Sequence, residues 1–131
     1  MSARFLLDTH VWLWLQSDVD QIGKKTLRAL RGAELFFSVA SAWEITIKIA
    51  NGKLELPEPV DAYIASRISA DKLQVLEITL AHTAAVSQLP PIHRDPFDRL
   101  LVAQAGVHGL TLLTADETVM RYEVSTRDAT L

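Results

Sequence analysis

The sequence predicts an α/β fold, a three-layer α/β/α sandwich around a central parallel β-sheet. The first observation is a set of short, continuously apolar runs, which predict strands that are covered on both faces, as in parallel sheets. The second is that the segments between these runs carry apolar residues at three- and four-residue spacings, which predict helices. Strand and helix therefore alternate through most of the chain, which is the pattern of α/β proteins.

The predicted elements follow in chain order. The strands are RFLL (residues 4–7), ELFFS (34–38), QVLE (74–77), LTLLT (110–114) and a weaker EVS (123–125). The helices span residues 11–16, 24–31, 42–50, 60–69, 79–88 and 96–107. Asn51-Gly52 ends the third helix as a C-cap, and Pro57 and Pro59 introduce the fourth.

Composition limits the classes of function. A chain of 131 residues with 49% hydrophobic content suits one core, so we expect a single domain over residues 1–131. The absence of cysteine excludes disulfides, thiolate zinc sites and cysteine nucleophiles, so a metal would need oxygen or imidazole ligands. Asp8 interrupts the first apolar run too early for a signal peptide or membrane span, which predicts a soluble, unprocessed, cytoplasmic protein. A net charge of -3 argues against a broad basic surface for nucleic acid.

Four acids lie where predicted strands end or helices begin: Asp8, Glu44, Asp98 and Asp116. Because ligands of parallel sheets bind at the carboxyl ends of the strands, all four can face one crevice. Two carboxylates about 4 Å apart repel by about 4 kcal/mol at an effective dielectric of about 20. A helix N-terminus returns only about 0.3–1 kcal/mol per acid. A divalent cation would offset the repulsion, and oxygen ligands suit Mg²⁺ or Mn²⁺.

Each acid also has a structural interpretation as part of a helix cap. Asp8 can be an N-cap, and the stretches SAWE (41–44) and TADE (114–117) fit capping boxes. Asp95-Pro96 is a cap followed by a first-position proline, which leaves Asp98 as a first-turn acid. Capping explains the acids singly but does not compensate for their convergence.

Three stretches are together more specific than any single acid. They are LLDTHVWLW, SVASAWEITIKIANGKLELP, and DPFDRLLVAQA followed by LTLLTAD. In order and spacing they resemble the PIN-domain ribonucleases, most closely the VapC-type toxins of toxin–antitoxin pairs. The resemblance covers nearly the whole chain. It implies a PIN-like α/β/α sandwich, a Mg²⁺- or Mn²⁺-dependent endoribonuclease that uses a metal-activated water, an RNA substrate, a homodimer and neutralisation by a cognate VapB-type antitoxin.

The resemblance also implies the residues of the site. The four acids that match the family's catalytic and metal-binding positions are Asp8, Glu44, Asp98 and Asp116. Thr9 and Thr114 match hydroxyl residues that orient a carboxylate or a metal-bound water. The pattern DRLLVAQA aligns Asp98, rather than Asp95, with the family acid and leaves Asp95 as the cap and orienting neighbour.

Other polar and aromatic residues near these motifs receive a plainer interpretation. Four basic residues can meet RNA phosphate or be ordinary surface charges, namely Lys48, Lys53, Arg94 and Arg99. Lys48 follows Glu44 by four positions and so fits a helical ion pair. No histidine is assigned to catalysis, since oxygen ligands and an activated water need no imidazole; the four are His10, His82, His93 and His108. The three tryptophans are expected in the core or facing a partner: Trp12, Trp14 and Trp43.

Two competing classes of function remain. A phosphotransfer receiver or a phosphatase also places acids at strand ends, but both expect a second acid close behind the first, and DTH at residues 8–10 does not supply it. A non-catalytic PIN module that only binds a partner is the other alternative. Four intact acids count against such a module, and the sequence alone leaves it open.

Overall fold

The computed structural model describes residues 3–131 and contains one five-stranded sheet with helices on both faces. The strands are β1 (Arg4–Leu7), β2 (Glu34–Ser38), β3 (Gln74–Leu76), β4 (Thr111–Thr114) and β5 (Thr126–Asp128). The helices are α1 (Thr9–Ser17), α2 (Lys24–Leu30), α3 (Val39–Ala50), α4 (Val60–Ala70), α5 (Leu80–Ser87) and α6 (Pro96–His108). Short 3₁₀ turns occupy Val19–Gln21 and Val119–Arg121.

The sheet has the order β3-β2-β1-β4-β5, and all four strand pairs are parallel. Neighbouring residues of each strand point to opposite faces, so Phe5 and Leu7 join one apolar cluster and Leu6 joins the other. The first cluster includes residues of α1 to α4. The second includes residues of α6 and Ala40 of α3, and α5 packs against α6. The prediction of a three-layer α/β/α sandwich with a parallel sheet is confirmed.

The connections at the carboxyl ends of β1 and β2 are very short. Asp8 alone separates β1 from α1, and Ser38 is both the last residue of β2 and the N-cap of α3. The polar groups at this edge are therefore held by a strand on one side and a helix on the other. Asn51 ends α3, as predicted, and Gly52 follows with φ +71°.

Two predicted elements are displaced by three residues at a boundary, while every other predicted boundary lies within two residues of the observed one. The third helix begins at Val39 rather than at residue 42, because Ser38 is its cap. The fifth strand lies at Thr126–Asp128 rather than at residues 123–125, because Val124 packs into the second apolar cluster and β5 pairs with β4 only beyond it. Within residues 3–131, no helix combines the length and apolar character needed to cross a bilayer.

Candidate active site

Asp8 is almost completely buried, with 1% of its surface exposed. Its Oδ1 accepts the backbone N–H of Thr9 at 2.8 Å, which confirms that Asp8 caps α1. Its Oδ2 accepts the hydroxyl of Thr114 at 2.7 Å, across from the end of β4. Burial raises the pKa of Asp8 and the charge of Glu44 adds to this effect, against the neighbouring His10 and the two hydrogen bonds.

Asp98 lies in the first turn of α6 and does not cap this helix. The cap is Asp95, whose Oδ1 accepts the N–H groups of Phe97 at 2.8 Å and of Asp98 at 3.1 Å. Burial, followed by the charges of Asp8, Asp95 and Glu44, raises the pKa of Asp98 to about 7. The prediction that Asp95 is the cap is confirmed, and Asp98 is the first-turn acid of α6.

Glu44 lies in the second turn of α3, not in the first. The predicted capping box of Ser41 and Glu44 is wrong, because Ser38 caps the helix by accepting the N–H of Ala40 at 3.0 Å. Glu44 Oε2 lies 3.3 Å from the Nζ of Lys48, which confirms the helical ion pair. Its Oε1 is buried and has no hydrogen-bond partner among residues 3–131. One oxygen of this buried carboxylate is therefore uncompensated.

Asp116 follows β4 and closes a turn with its own side chain. Its Oδ1 accepts the N–H of Thr118 at 2.8 Å and of Val119 at 3.4 Å. Thr114 ends the strand and starts no α-helix, so the predicted capping box at residues 114–117 is wrong. The Thr114 hydroxyl instead accepts the N–H of Asp116 at 3.0 Å while donating to Asp8. Thr114 thus links the first acid to the fourth.

His93 is the site residue that the sequence reasoning missed. Its Nε2 lies 3.0 Å from Asp116 Oδ2 and 3.1 Å from Asp98 Oδ2. Burial lowers the pKa of His93, but the hydrogen bond of Asp116 and the charges of Asp98, Asp116 and Asp95 outweigh it and raise this pKa. The available signal was the proximity of His93 to the cap Asp95, since its Nδ1 accepts the Asp95 N–H at 3.0 Å.

Asp8, Glu44 and Asp98 lie near enough for their charges to interact, and Asp98 also forms a closer group with Asp116 and His93, whose ligand atoms lie within 4.8 Å of one another. Asp8 and Glu44 both act on Asp98, and Glu44 acts on Asp8. An unpaired buried carboxylate costs several kcal/mol (about 3–5) unless a cation compensates it. The donors are all carboxylate oxygens, which suit Mg²⁺ or Mn²⁺, and Glu44 Oε1 is a buried ligand atom without a partner. The residues therefore fit a divalent cation.

The two threonines beside the acids act differently. Thr114 orients the Asp8 carboxylate, as expected. The hydroxyl of Thr9 donates to Ser41 Oγ at 2.9 Å and so joins α1 to α3, while only its backbone N–H serves Asp8. His10 lies at the rim, with Nδ1 3.7 Å from Asp8 Oδ2 and Nε2 accepting the N–H of Ala115.

Some of the remaining basic and aromatic residues support the fold, and others are exposed on the surface. Arg99 donates to the carbonyls of Pro90, Val86 and Leu89 and to the hydroxyl of Tyr122, so it braces the loop before α6. Lys53 and Arg94 are exposed. Trp12 is fully buried and Trp14 partly buried, whereas Trp43 is 58% exposed and contacts Phe97 beside the acids. The remaining two histidines, His82 and His108, contact each other away from the acids.

Sequence comparison identifies relatives of known class. Ribonuclease VapC22 of Mycobacterium tuberculosis is 28% identical to this chain over 113 residues, which are 85% of each protein. Ribonuclease VapC16 of the same organism is 42% identical over 50 residues, which are 38% of this chain and 36% of that protein.

Structure comparison identifies the same fold. VapBC2 from Rickettsia felis, bound to a DNA fragment from its promoter, matches with a TM-score of 0.74 and 14% identity over 95% of this chain and 98% of that chain. DNA-bound VapBC from Salmonella typhimurium matches with a TM-score of 0.70 and 20% identity over 96% and 98%. The family model described as PIN domain matches residues 5–124. By this match, which includes all four acids, the chain belongs to the PIN domain family.

Proposed function

We propose that the chain is a single-domain, metal-dependent endoribonuclease of the VapC type, which acts as the toxin of a toxin–antitoxin pair. The observation that carries the proposal is that burial and the charges of nearby acids, Glu44 among them, raise the pKa of Asp8 and of Asp98, while Glu44 Oε1 is buried without a hydrogen-bond partner among residues 3–131. The similarity to ribonucleases VapC22 and VapC16 supports RNA as the substrate.

The three central acids would hold the cation, with Asp116 as the fourth acid of the site. A bound Mg²⁺ or Mn²⁺ supplies an activated water and neutralises charge on the phosphodiester oxygens. Asp8 is oriented before any ligand arrives, because Thr9 and Thr114 hold one oxygen each. Glu44 offers Oε1 while Lys48 compensates Oε2. This fixed arrangement lowers the reorganisation that the site must undergo during reaction.

Substrate binding requires positive charge near an otherwise acidic site. Arg94 lies between His93 and the cap Asp95, and its side chain is exposed. Lys48 lies beside Glu44 with 42% of its side chain exposed. These two residues would meet the phosphates that flank the cleaved bond, since phosphate contacts position a nucleic acid. Arg99 is excluded from this role because its guanidinium already donates to loop carbonyls.

The partners follow from the same proposal. The fold matches assemblies of the VapBC type, which supports a cognate VapB-type antitoxin as a binding partner. The proposed protein is a homodimer in the cytoplasm. The oligomeric state can be measured on the purified protein, and the location by fractionation of cells that produce it.

The experiment is cleavage of a total RNA pool by antitoxin-free protein, with products mapped by sequencing of new ends. We expect cleavage only with Mg²⁺ or Mn²⁺. Asp8→Ala and Asp98→Ala should abolish cleavage while circular dichroism shows folded protein. Asp20→Asn, at an exposed acid outside these motifs, is the matched control and should cleave as the wild type does. Full activity in chelator, or wild-type activity in the two alanine variants, would contradict the mechanism. Absence of cleavage by the wild type with either cation would leave a non-catalytic module.

A further inference from the structure

The imidazole of His93 lies between two of the acids. Its Nε2 donates a hydrogen bond to Asp116 Oδ2 at 3.0 Å and lies 3.1 Å from Asp98 Oδ2. Together the three side chains have the spacing of a metal-binding group, with ligand atoms within 4.8 Å of one another. Whether these three side chains can bind a metal depends on which nitrogens of the His93 ring carry protons.

The position of one proton follows from the Asp95 N–H. This group donates to His93 Nδ1 at 3.0 Å, so Nδ1 is an acceptor and the neutral ring carries its proton on Nε2. In the charged ring both nitrogens carry protons. Nε2 is therefore a donor in either protonation state, and a nitrogen that carries a proton cannot bind a cation. His93, Asp98 and Asp116 consequently form a hydrogen-bonded group and not a ligand set.

Asp116 has each of its oxygens already engaged. Oδ1 accepts the N–H groups of Thr118 and Val119, and Oδ2 accepts His93. These contacts give Asp116 three donors, whereas Glu44 Oε1 has none among residues 3–131. Asp8 accepts two donors, one on each oxygen, so Glu44 Oε1 is the carboxylate oxygen of the site that most needs a cation.

The framework around His93 holds the ring in place. The backbone N–H of His93 donates to the Tyr122 hydroxyl at 2.8 Å, and Tyr122 is 4% exposed. Arg99 donates to the same hydroxyl and to the carbonyl of Pro90 at 3.0 Å. The ring is 19% exposed and is restrained at Nδ1, at Nε2 and through the backbone.

We propose that His93 is a positioning residue that limits the centre to one divalent cation, by placing an N–H donor where a second cation would need Asp98 and Asp116. The inference rests on the proposed metal function, and it concerns how many cations bind. In the wild-type protein the Asp116 carboxylate then accepts hydrogen bonds and binds no cation. It becomes available to bind a cation only when His93 is replaced.

The first experiment counts bound Mn²⁺ per chain from the electron paramagnetic resonance signal of the free ion. We expect one ion in the wild type, two in His93→Ala and one in the double variant His93→Ala/Asp116→Asn. His93→Gln retains an N–H donor and should bind one. Two ions in the wild type, or a single ion in a folded His93→Ala variant, would overturn the inference while leaving the proposed function intact.

Absence of Mn²⁺ binding in the wild type would contradict the proposed metal function. Because the inference rests on that function and expects one ion in the wild type, this result would overturn both proposals.

The second experiment needs neither a variant nor RNA cleavage. A long-range ¹H–¹⁵N correlation spectrum distinguishes a protonated from an unprotonated Nε2. We expect His93 to keep its Nε2 proton when the protein is saturated with diamagnetic Mg²⁺. Loss of that proton on Mg²⁺ addition would identify Nε2 as a ligand and refute the inference.

Discussion

Replacing Asp98 by asparagine should stabilise the metal-free protein while abolishing its activity. Burial and the charges of Asp8, Asp95 and Glu44 raise the pKa of Asp98 to about 7, from an ordinary value of 3.8. Asparagine has nearly the same shape, keeps an oxygen for His93 and carries no charge. The variant therefore removes the repulsion and retains the packing.

The magnitude follows from the pKa. A difference of about 3 units at about 1.36 kcal/mol per unit sets a ceiling of about 4 kcal/mol. The Asp98 side chain is 15% exposed, so part of the repulsion is screened by solvent. We expect a gain of about 1–3 kcal/mol at pH 8 after screening. For a chain of this length each kcal/mol raises Tm by about 3–5 °C.

The sign of the pH dependence is also determined. Between pH 3.8 and about 7 the folded wild type holds a proton on Asp98 that the unfolded chain has released. Wild-type stability therefore falls as pH rises through this window, and the advantage of Asp98→Asn grows over it and then levels off. Below pH 3.8 the wild type and Asp98→Asn should have nearly equal stability.

The assay is thermal and urea unfolding in chelator from pH 3.5 to 8.5, with Asp20→Asn as the exposed-acid control. Adding Mg²⁺ should reverse the order, because a cation that binds only the folded wild type stabilises it by RT ln(1 + [Mg²⁺]/Kd). The reasoning is refuted if Asp98→Asn is less stable than the wild type at pH 8 in chelator, or if the difference between them does not change with pH.

Three further predictions concern the framework and are measured by urea unfolding. A Cβ on Gly23 would overlap the backbone carbonyl of Leu131, so Gly23→Ala should cost about 1–3 kcal/mol. Gly106 lies inside α6, where a Cβ would meet Val124 at an ordinary 3.5 Å, so Gly106→Ala should gain up to about 1 kcal/mol; equal effects of the two changes would contradict this reasoning. Leu112 is fully buried in β4, and Leu112→Ala should cost about 2–5 kcal/mol. A loss of stability below about 1 kcal/mol would mean that neighbouring side chains move into the cavity left by Leu112.

The sheet could be predicted because its strands are continuous apolar runs, and β1 and β2 lie where the runs lie. The start of α3 could not be predicted in the same way. Ser38 and Ser41 are equally good caps in sequence, but Ser38 also donates to the buried Gln104 at 2.6 Å, and this tertiary contact accompanies the earlier start. A contact across 66 positions leaves no local pattern.

The site shows the same division. Asp8 and Asp98 were identifiable because strand ends and helix starts are local features, and Asp95 was identifiable as a cap from the proline behind it. The role of His93 depends on Asp116, which lies 23 positions away along the chain. Asp95 lies close to His93 in the sequence, but the hydrogen bond from the Asp95 N–H to His93 Nδ1, which places the proton of the neutral ring on Nε2, is known only from the structure.

The double use of Asp8 affects which inactive forms of the protein can persist. Asp8 caps α1 and belongs to the proposed site, so Asp8→Ala loses a cap worth about 0.5–2 kcal/mol together with activity. Asp98 carries no cap, and its neutralisation relieves repulsion. In a genetic selection for cells that survive production of this chain, substitutions that keep protein abundance normal should therefore accumulate at Asp98. Substitutions at Asp8 should be recovered less often and at lower abundance.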